Sequence, residues 1–278
     1  MPRIARTRMP NQYARQYFRE IKRRIDADTA RVQQAFHEEI IPRILRYRRA
    51  RSGPATNSRR LRINDELDEI RLILERLREL TEMQEFVTTV IELVAREFVD
   101  QVNAYSRANF RQQVVRVLGV DPTLSEPWLG SLLETFVQEN VKLIKSIPRD
   151  YHDKIDTAVL QGVRRGDSTA EIGQRIAELG DVSERRGRFI ARDQIGTIHG
   201  ELTKRRQENA GLPRFRWSTS HDARVRDSHR HLDGKVYTWA EGARNDRGER
   251  IWPGTDYQCR CTAEVVLEDL LGEEEDDG

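Results

Sequence analysis

The stretch Gly211-Leu212-Pro213-Arg214-Phe215-Arg216-Trp217-Ser218-Thr219-Ser220 divides this chain into two kinds of sequence. Gly followed closely by Pro stops a helix, and the alternation of Arg, Phe, Arg and Trp after Pro213 is that of a half-buried strand. Two further strand-like runs follow, Lys235–Trp239 and Arg260–Leu267. Between them lie turn-rich stretches at Asp233-Gly234, Gly242 to Gly248 and Trp252 to Asp256. Three of the four tryptophans, three of the six histidines and both cysteines fall after Pro213. Aromatics and soft ligands gathered in so short a span predict a small α+β module, and a site within it.

Upstream of Gly211 the pattern is helical throughout. A last long helix is expected from near Ser183, with Gly187, Gly196 and Gly200 as possible breaks. Ser168-Thr-Ala-Glu171 has the spacing of a capping box and predicts a short helix to Gly180. Before it, one helix is expected from Pro148 to Gly166, and another from Ser125-Glu126-Pro127-Trp128 to Pro148. Leu67, Ile70, Leu74 and Leu77 recur by three and four, continuing through Val90, Val94, Phe98 and Val102 to Gly119. Tyr13, Tyr17, Ile21 and Ile25, then Val32, Phe36, Ile40 and Ile44, give a long amphipathic helix bent near Pro42. The fold class expected is mainly α, with a small C-terminal α+β module and an elongated helical N-terminal part. The expected segments are a basic helix and linker (1–60), a helical hairpin or bundle (61–120), a helical lead-in (121–211), the module (212–267) and an acidic disordered tail (268–278).

Of 278 residues, 34% are charged and 37% hydrophobic, too wet a composition for one large sphere. No apolar run reaches the roughly 18 residues of a spanning helix. The first thirty residues are rich in Arg without an apolar stretch, which argues against a secretory signal and for a cytoplasm-like compartment. Cys259 and Cys261 stand one residue apart, a spacing that strains a mutual disulfide and excludes a disulfide-built domain. The 48 Lys and Arg nearly balance the 46 Asp and Glu, yet residues 1–60 hold sixteen of the former and five of the latter. That stretch therefore carries +11, and the remaining 32 basic and 41 acidic residues give −9.

Within the module, Trp217, Thr219, Asp222, Arg224, Arg226, His229, Asp233-Gly234, Pro253-Gly254 and Cys259-Arg260-Cys261 form one spaced pattern. This pattern resembles the terminal domain of the phage Mu F-like head morphogenesis family, the minor head proteins of tailed bacteriophages. The resemblance extends upstream through Gly166-Asp-Ser-Thr and Phe189-Ile-Ala-Arg192-Asp193-Gln194, where the family more often has Thr-Glu at the last two positions. It implies a minor structural protein, located in the capsid interior or at the portal vertex and in the host cytoplasm during assembly. The implied partners are portal protein, capsid or scaffold protein and double-stranded DNA, with no membrane and no small-molecule substrate. Some family members carry Cys-x-x-Cys at the positions of Arg226 and His229, and His at that of Asp256, making a metal tetrad with the Cys at 259.

Read as chemistry, His229, Cys259 and Cys261 are three zinc-type ligands, and Asp222, Asp256 or His231 is available as a fourth. The competing reading has His229 and Cys259 as buried packing groups with no cofactor, and Asp222, Arg224, Arg226 and Arg260 as a network of guanidinium–carboxylate forks. A metal-dependent nuclease using Asp222, His229 and Asp233 is a rival function, although no nucleophile elbow or phosphate-binding loop accompanies them. A generic coiled-coil adaptor is another. No catalytic residue is assigned. On the basic helix, Arg15, Arg19, Lys22, Arg23, Arg24, Arg31, Arg46 and Arg49 are the candidates for nucleic-acid contact, against intramolecular pairing with acidic helices.

Overall fold

Long amphipathic stretches become long helices in the computed structural model, which describes residues 7–53, 56–82 and 85–266. Helix α1 (Asn11–Ala35) passes through a π-helical turn (Phe36–Ile40) into α2 (Ile41–Ser52). Pro42 explains that turn. It has no N–H for the carbonyl four residues back, and its ring crowds that carbonyl, so the chain widens by one residue, with Ile41 N–H bonding the Phe36 carbonyl. Helices α3 (Asn57–Glu82), α4 (Glu85–Leu118), α5 (Leu129–Arg165) and α6 (Thr169–Asn209) follow, with a short 3₁₀ turn at Pro122–Leu124. The mainly helical fold class with a small antiparallel module holds. The acidic stretch 268–278 lies outside the described residues.

Two of the predicted helix breaks are absent. Helix α5 runs through Pro148, because Ile144, Ile147, Tyr151 and Ile155 are buried at helical spacing on both sides of it. Helix α6 begins at the expected capping box, where Glu171 N–H donates to Ser168 Oγ at 3.1 Å and Ser168 N–H to Glu171 Oε2 at 2.6 Å. It then continues past Gly180 to Asn209. Gly173, Gly180 and Gly187 stand seven apart, and a Cβ there would lie 3.2 Å from Phe36, 2.9 Å from Thr29 and 2.9 Å from Ile21. These glycines let α6 lie close along α1; they are packing residues, not breaks.

The chain forms two compact units, each drawn from separated stretches. One comprises Phe18–Glu92 and Val141–Arg188, with a core that includes Phe36, Ile44, Ile70, Leu74, Ile155 and Ile172. The other comprises the chain up to Tyr17, Leu93–Asn140 and the chain from Phe189 onward. In it Tyr17 stacks on Phe98 at 4.1 Å and donates its hydroxyl to Asn140 at 2.8 Å. The module belongs to this second unit. Strand β1 (Arg214–Ser218) lies between β2 (Val236–Thr238) and β5 (Thr262–Val265), antiparallel to both, with Phe215 opposite Tyr237 and Val265. A second hairpin, β3 (Ala243–Arg244) with β4 (Arg250–Ile251), occupies the Gly242–Gly248 turn region. Phe215, Trp217, Trp239, Ile251, Cys259 and Cys261 share one buried cluster.

Candidate functional site

The three sequence features richest in chemistry meet beneath β1. Strand alternation sends Phe215 and Trp217 inward. The single turn α7 (Asp227–Arg230) follows the extended Arg226 and buries His229 edge-on to Trp217, ring centroids 5.5 Å apart. The loop between β4 and β5 then brings Cys259 and Cys261 to the same imidazole. Both sulfurs lie 3.5 Å from His229 Nδ1, and the opposite nitrogen, Nε2, is 3.0 Å from Asp256 Oδ2. That carboxylate oxygen also receives Arg226 Nη1 at 2.7 Å, while Arg226 Nη2 bonds the Tyr257 carbonyl.

Positions 226, 229, 256 and 259 are thus contiguous. Guanidinium, carboxylate, imidazole and thiol form a chain in place of four ligands. Electrostatics follow from the contacts. Cys261 donates to Cys259, and His229 stands beside it, so the Cys259 thiol is held well below its ordinary pKa against the opposing effect of burial. Cys261, facing that sulfur in a buried setting, is pushed up. Contact with Cys259 raises the His229 pKa, with Asp256 adding to it against desolvation.

Zinc fits this site only in part. Zn–S and Zn–N bonds of about 2.3 and 2.0 Å in a tetrahedron separate sulfur from nitrogen by roughly 3.5 Å, the spacing seen here. The residues proposed for a fourth ligand point elsewhere. Asp256 lies on the far side of the imidazole, Asp222 is clamped by Arg260 through contacts of 2.5 and 2.7 Å, and His231 is exposed. His229, Cys259 and Cys261 are the only metal-type cluster among the described residues. A closed structural zinc site takes four ligands, so the residues present do not complete one.

The other pattern residues hold the site's frame. The Arg260 fork keeps the Asp222 carboxyl far below the usual carboxylate range, and Asp222 also caps Arg224 N–H at 2.9 Å. Asp233 accepts Thr219 N–H at 2.8 Å, and Gly234, at φ 74°, returns its N–H to the Trp217 carbonyl. Arg224 is exposed. Pro253 and Gly254 back the loop onto α6: a Cβ on Gly196 would lie 2.8 Å from the carbonyls of Gly254 and Cys259, and one on Gly200 would strike the Pro253 carbonyl. Asp222, Asp233 and His229 therefore each have partners of their own.

Two residues that the sequence did not single out as site residues fix the cysteine loop. Gln258, at φ 52°, donates its backbone N–H to Asp193 Oδ1 at 3.1 Å and its side-chain amide to the Phe189 carbonyl at 3.0 Å. Asp193 stood out only as a departure from the family lead-in. A positive φ at Gln has no sequence signal.

Of the basic candidates, several are engaged within the chain. Lys22 pairs with Asp26 at 2.7 Å and Glu184 at 3.0 Å, and Arg23 with Glu20 at 2.9 Å. Arg31 reaches Asp28 at 3.4 Å, and Arg46 lies 3.8 Å from Glu66. Arg24 is partly buried and donates to the Glu20 carbonyl at 3.3 Å. Arg15, Arg19 and Arg49 are exposed without a carboxylate partner among the described residues.

Residues 153–264 match the family model described as phage Mu protein F like protein. This segment belongs to the phage Mu F-like family. The Mu F-like segment takes in the end of α5, all of α6 and the module through most of β5, so every residue of the His229 cluster lies inside it. An uncharacterized protein of Haemophilus influenzae is 33% identical over 184 residues, which is 65% of this chain and 40% of that protein. The chain thus spans less than half of that relative's length. No solved structure matches. No helix among the described residues is long and apolar enough to cross a membrane.

Proposed function

We propose that this chain is a head morphogenesis protein of a tailed phage, a minor structural component of the head. The observation that carries this reading is the coincidence of the Mu F-like match with the one region where the buried aromatic, His and Cys residues interlock. In this reading the module is a rigid docking unit for the portal or the shell, and its role is binding. The closed character of the site supports that: Cys259 and His229 are 4% and 3% exposed, which leaves a substrate no access to the sulfur. The Arg226–Asp256–His229–Cys259 chain staples the loop that carries the two cysteines. Exposed arginines of the basic helices contact packaged DNA. The protein is then present in the host cytoplasm during assembly and in the virion afterwards.

Complementation tests this reading. A phage lacking the gene is expected to give defective heads that the intact chain restores and that a chain lacking residues 212–266 does not. Normal heads and normal DNA content in the absence of the gene would remove the proposal.

A further inference from the structure

The unit formed by Phe18–Glu92 and Val141–Arg188 contains a cavity of about 510 Å³, bounded by α1, α5, α6 at Ser183, and the ends of α3 and α4 at Thr81–Glu82 and Thr88–Ile91. Its size falls in the range of about 300–1,000 Å³ typical of small-ligand sites. The floor is aliphatic, made by Ile25, Ile91, Ile144 and Ile147. One wall is a buried polar cluster whose members meet one another. Asp28 accepts the Thr81 hydroxyl at 2.9 Å, lies 3.1 Å from His152 Nε2 and meets Arg31 at 3.4 Å. That wall orients a ligand but has no net charge to offer it.

The rim differs. Arg24, Lys145 and Arg149 line the cavity against a single further acid, Glu82. Lys145 and Arg149 are exposed and lie one turn apart on α5, on either side of Pro148. Arg24 donates to the Glu20 backbone carbonyl and has no ion pair among the described residues, although the Glu20 carboxylate acts on it, and Arg149 Nε lies 4.0 Å from Asp150, a long contact between exposed groups. An aliphatic floor under a cationic rim selects an apolar body with one negative end; a cation would meet like charge, and a neutral chain would forgo the rim.

We propose that this cavity binds a small amphipathic anion, an aliphatic chain ending in a carboxylate or comparable head group. The chain lies on the isoleucine floor and the head group sits between Arg24, Lys145 and Arg149. The site is a ligand site and needs no reaction.

Decanoate and decanol are suitable probes, titrated into the full-length protein by calorimetry below their aggregation concentrations. The expected result is saturable binding of one decanoate per chain, with decanol about tenfold weaker or more. The double charge reversal Lys145→Glu with Arg149→Glu changes two exposed residues, so circular dichroism should be unaltered. It is expected to weaken decanoate by about tenfold or more and leave decanol unchanged. Thr88→Trp, at the partly exposed side of the lining, should weaken both probes by filling the space. Equal affinity for the two probes, no saturable decanoate binding, or charge reversal without effect would each overturn the proposal.

Discussion

His229 is held from both sides, with Asp256 Oδ2 3.0 Å from Nε2 and the sulfurs of Cys259 and Cys261 each 3.5 Å from Nδ1. Asp256 in turn is fixed by Arg226. Removing the imidazole leaves a carboxylate and two sulfur groups facing a void. His229→Ala is therefore expected to destabilise the protein by about 3 kcal/mol, read from the urea midpoint. A change below about 0.5 kcal/mol would show that the chain of contacts does not staple the loop.

A staple of this kind also sets the metal content. With three ligands and no fourth among the described residues, the purified protein should carry well under one zinc per chain by elemental analysis, and a chelator should not shift its melting temperature. One tightly held zinc per chain, lost in Cys261→Ser, would replace the ion chain with a metal centre.

The loop's seat on α6 depends on missing side chains. A methyl on Gly196 would lie 2.8 Å from two backbone carbonyls, atoms that move only if the loop moves. Gly196→Ala should cost about 1–3 kcal/mol, although Ala favours a helix over Gly. Gly130, with no neighbour within 4 Å, is the control on α5 where the same change should stabilise slightly. Equal responses at the two positions would contradict the packing role.

Acid should weaken the fold through His199. It is 1% exposed, and burial pushes its pKa down to about 4, with Arg206 acting in the same direction. The unfolded chain takes up a proton there below about pH 6.5, while the folded chain resists until about pH 4, so stability is lost as pH falls through that window. Between pH 7 and 5 the loss is about 2 kcal/mol. Urea midpoints at the two pH values should show it in the native protein, and His199→Leu should remove it. An unchanged pH response in that variant would place the effect elsewhere.

DNA binding should rest on the exposed arginines that have no carboxylate partner among the described residues. Arg15→Ala, Arg19→Ala and Arg49→Ala combined are expected to lower the slope of log K against log salt by up to about 2.7, at about 0.9 for each phosphate no longer neutralised. Lys22→Ala, Arg23→Ala and Arg24→Ala combined should lower it less, since Lys22 and Arg23 already have carboxylate partners. The opposite ranking, or no change in either variant, would contradict the assignment.

Local signals in the sequence carried the helices, the capping box at Ser168 and the three strands of the sheet, because periodicity and turn chemistry act over a few residues. They misread Pro148 and Gly180 as stops. There the decision is tertiary: buried isoleucines on both sides of Pro148 outweigh one missing hydrogen bond, and Gly180 exists to admit Thr29. The motif spacing marked His229, Cys259 and Cys261, and Arg at 226 already removed one ligand, but the pairing of Arg226 with Asp256, thirty residues apart in sequence and 2.7 Å apart in space, shows only in the fold. The cavity and the Asp193–Gln258 latch depend on packing between distant segments and left no local trace.

A structural part of a phage head must be found in the particles themselves. Quantitative mass spectrometry of gradient-purified procapsids and virions is expected to find the chain in a fixed, low ratio to the portal protein. Its absence from both kinds of particle would rule out a structural role in the head.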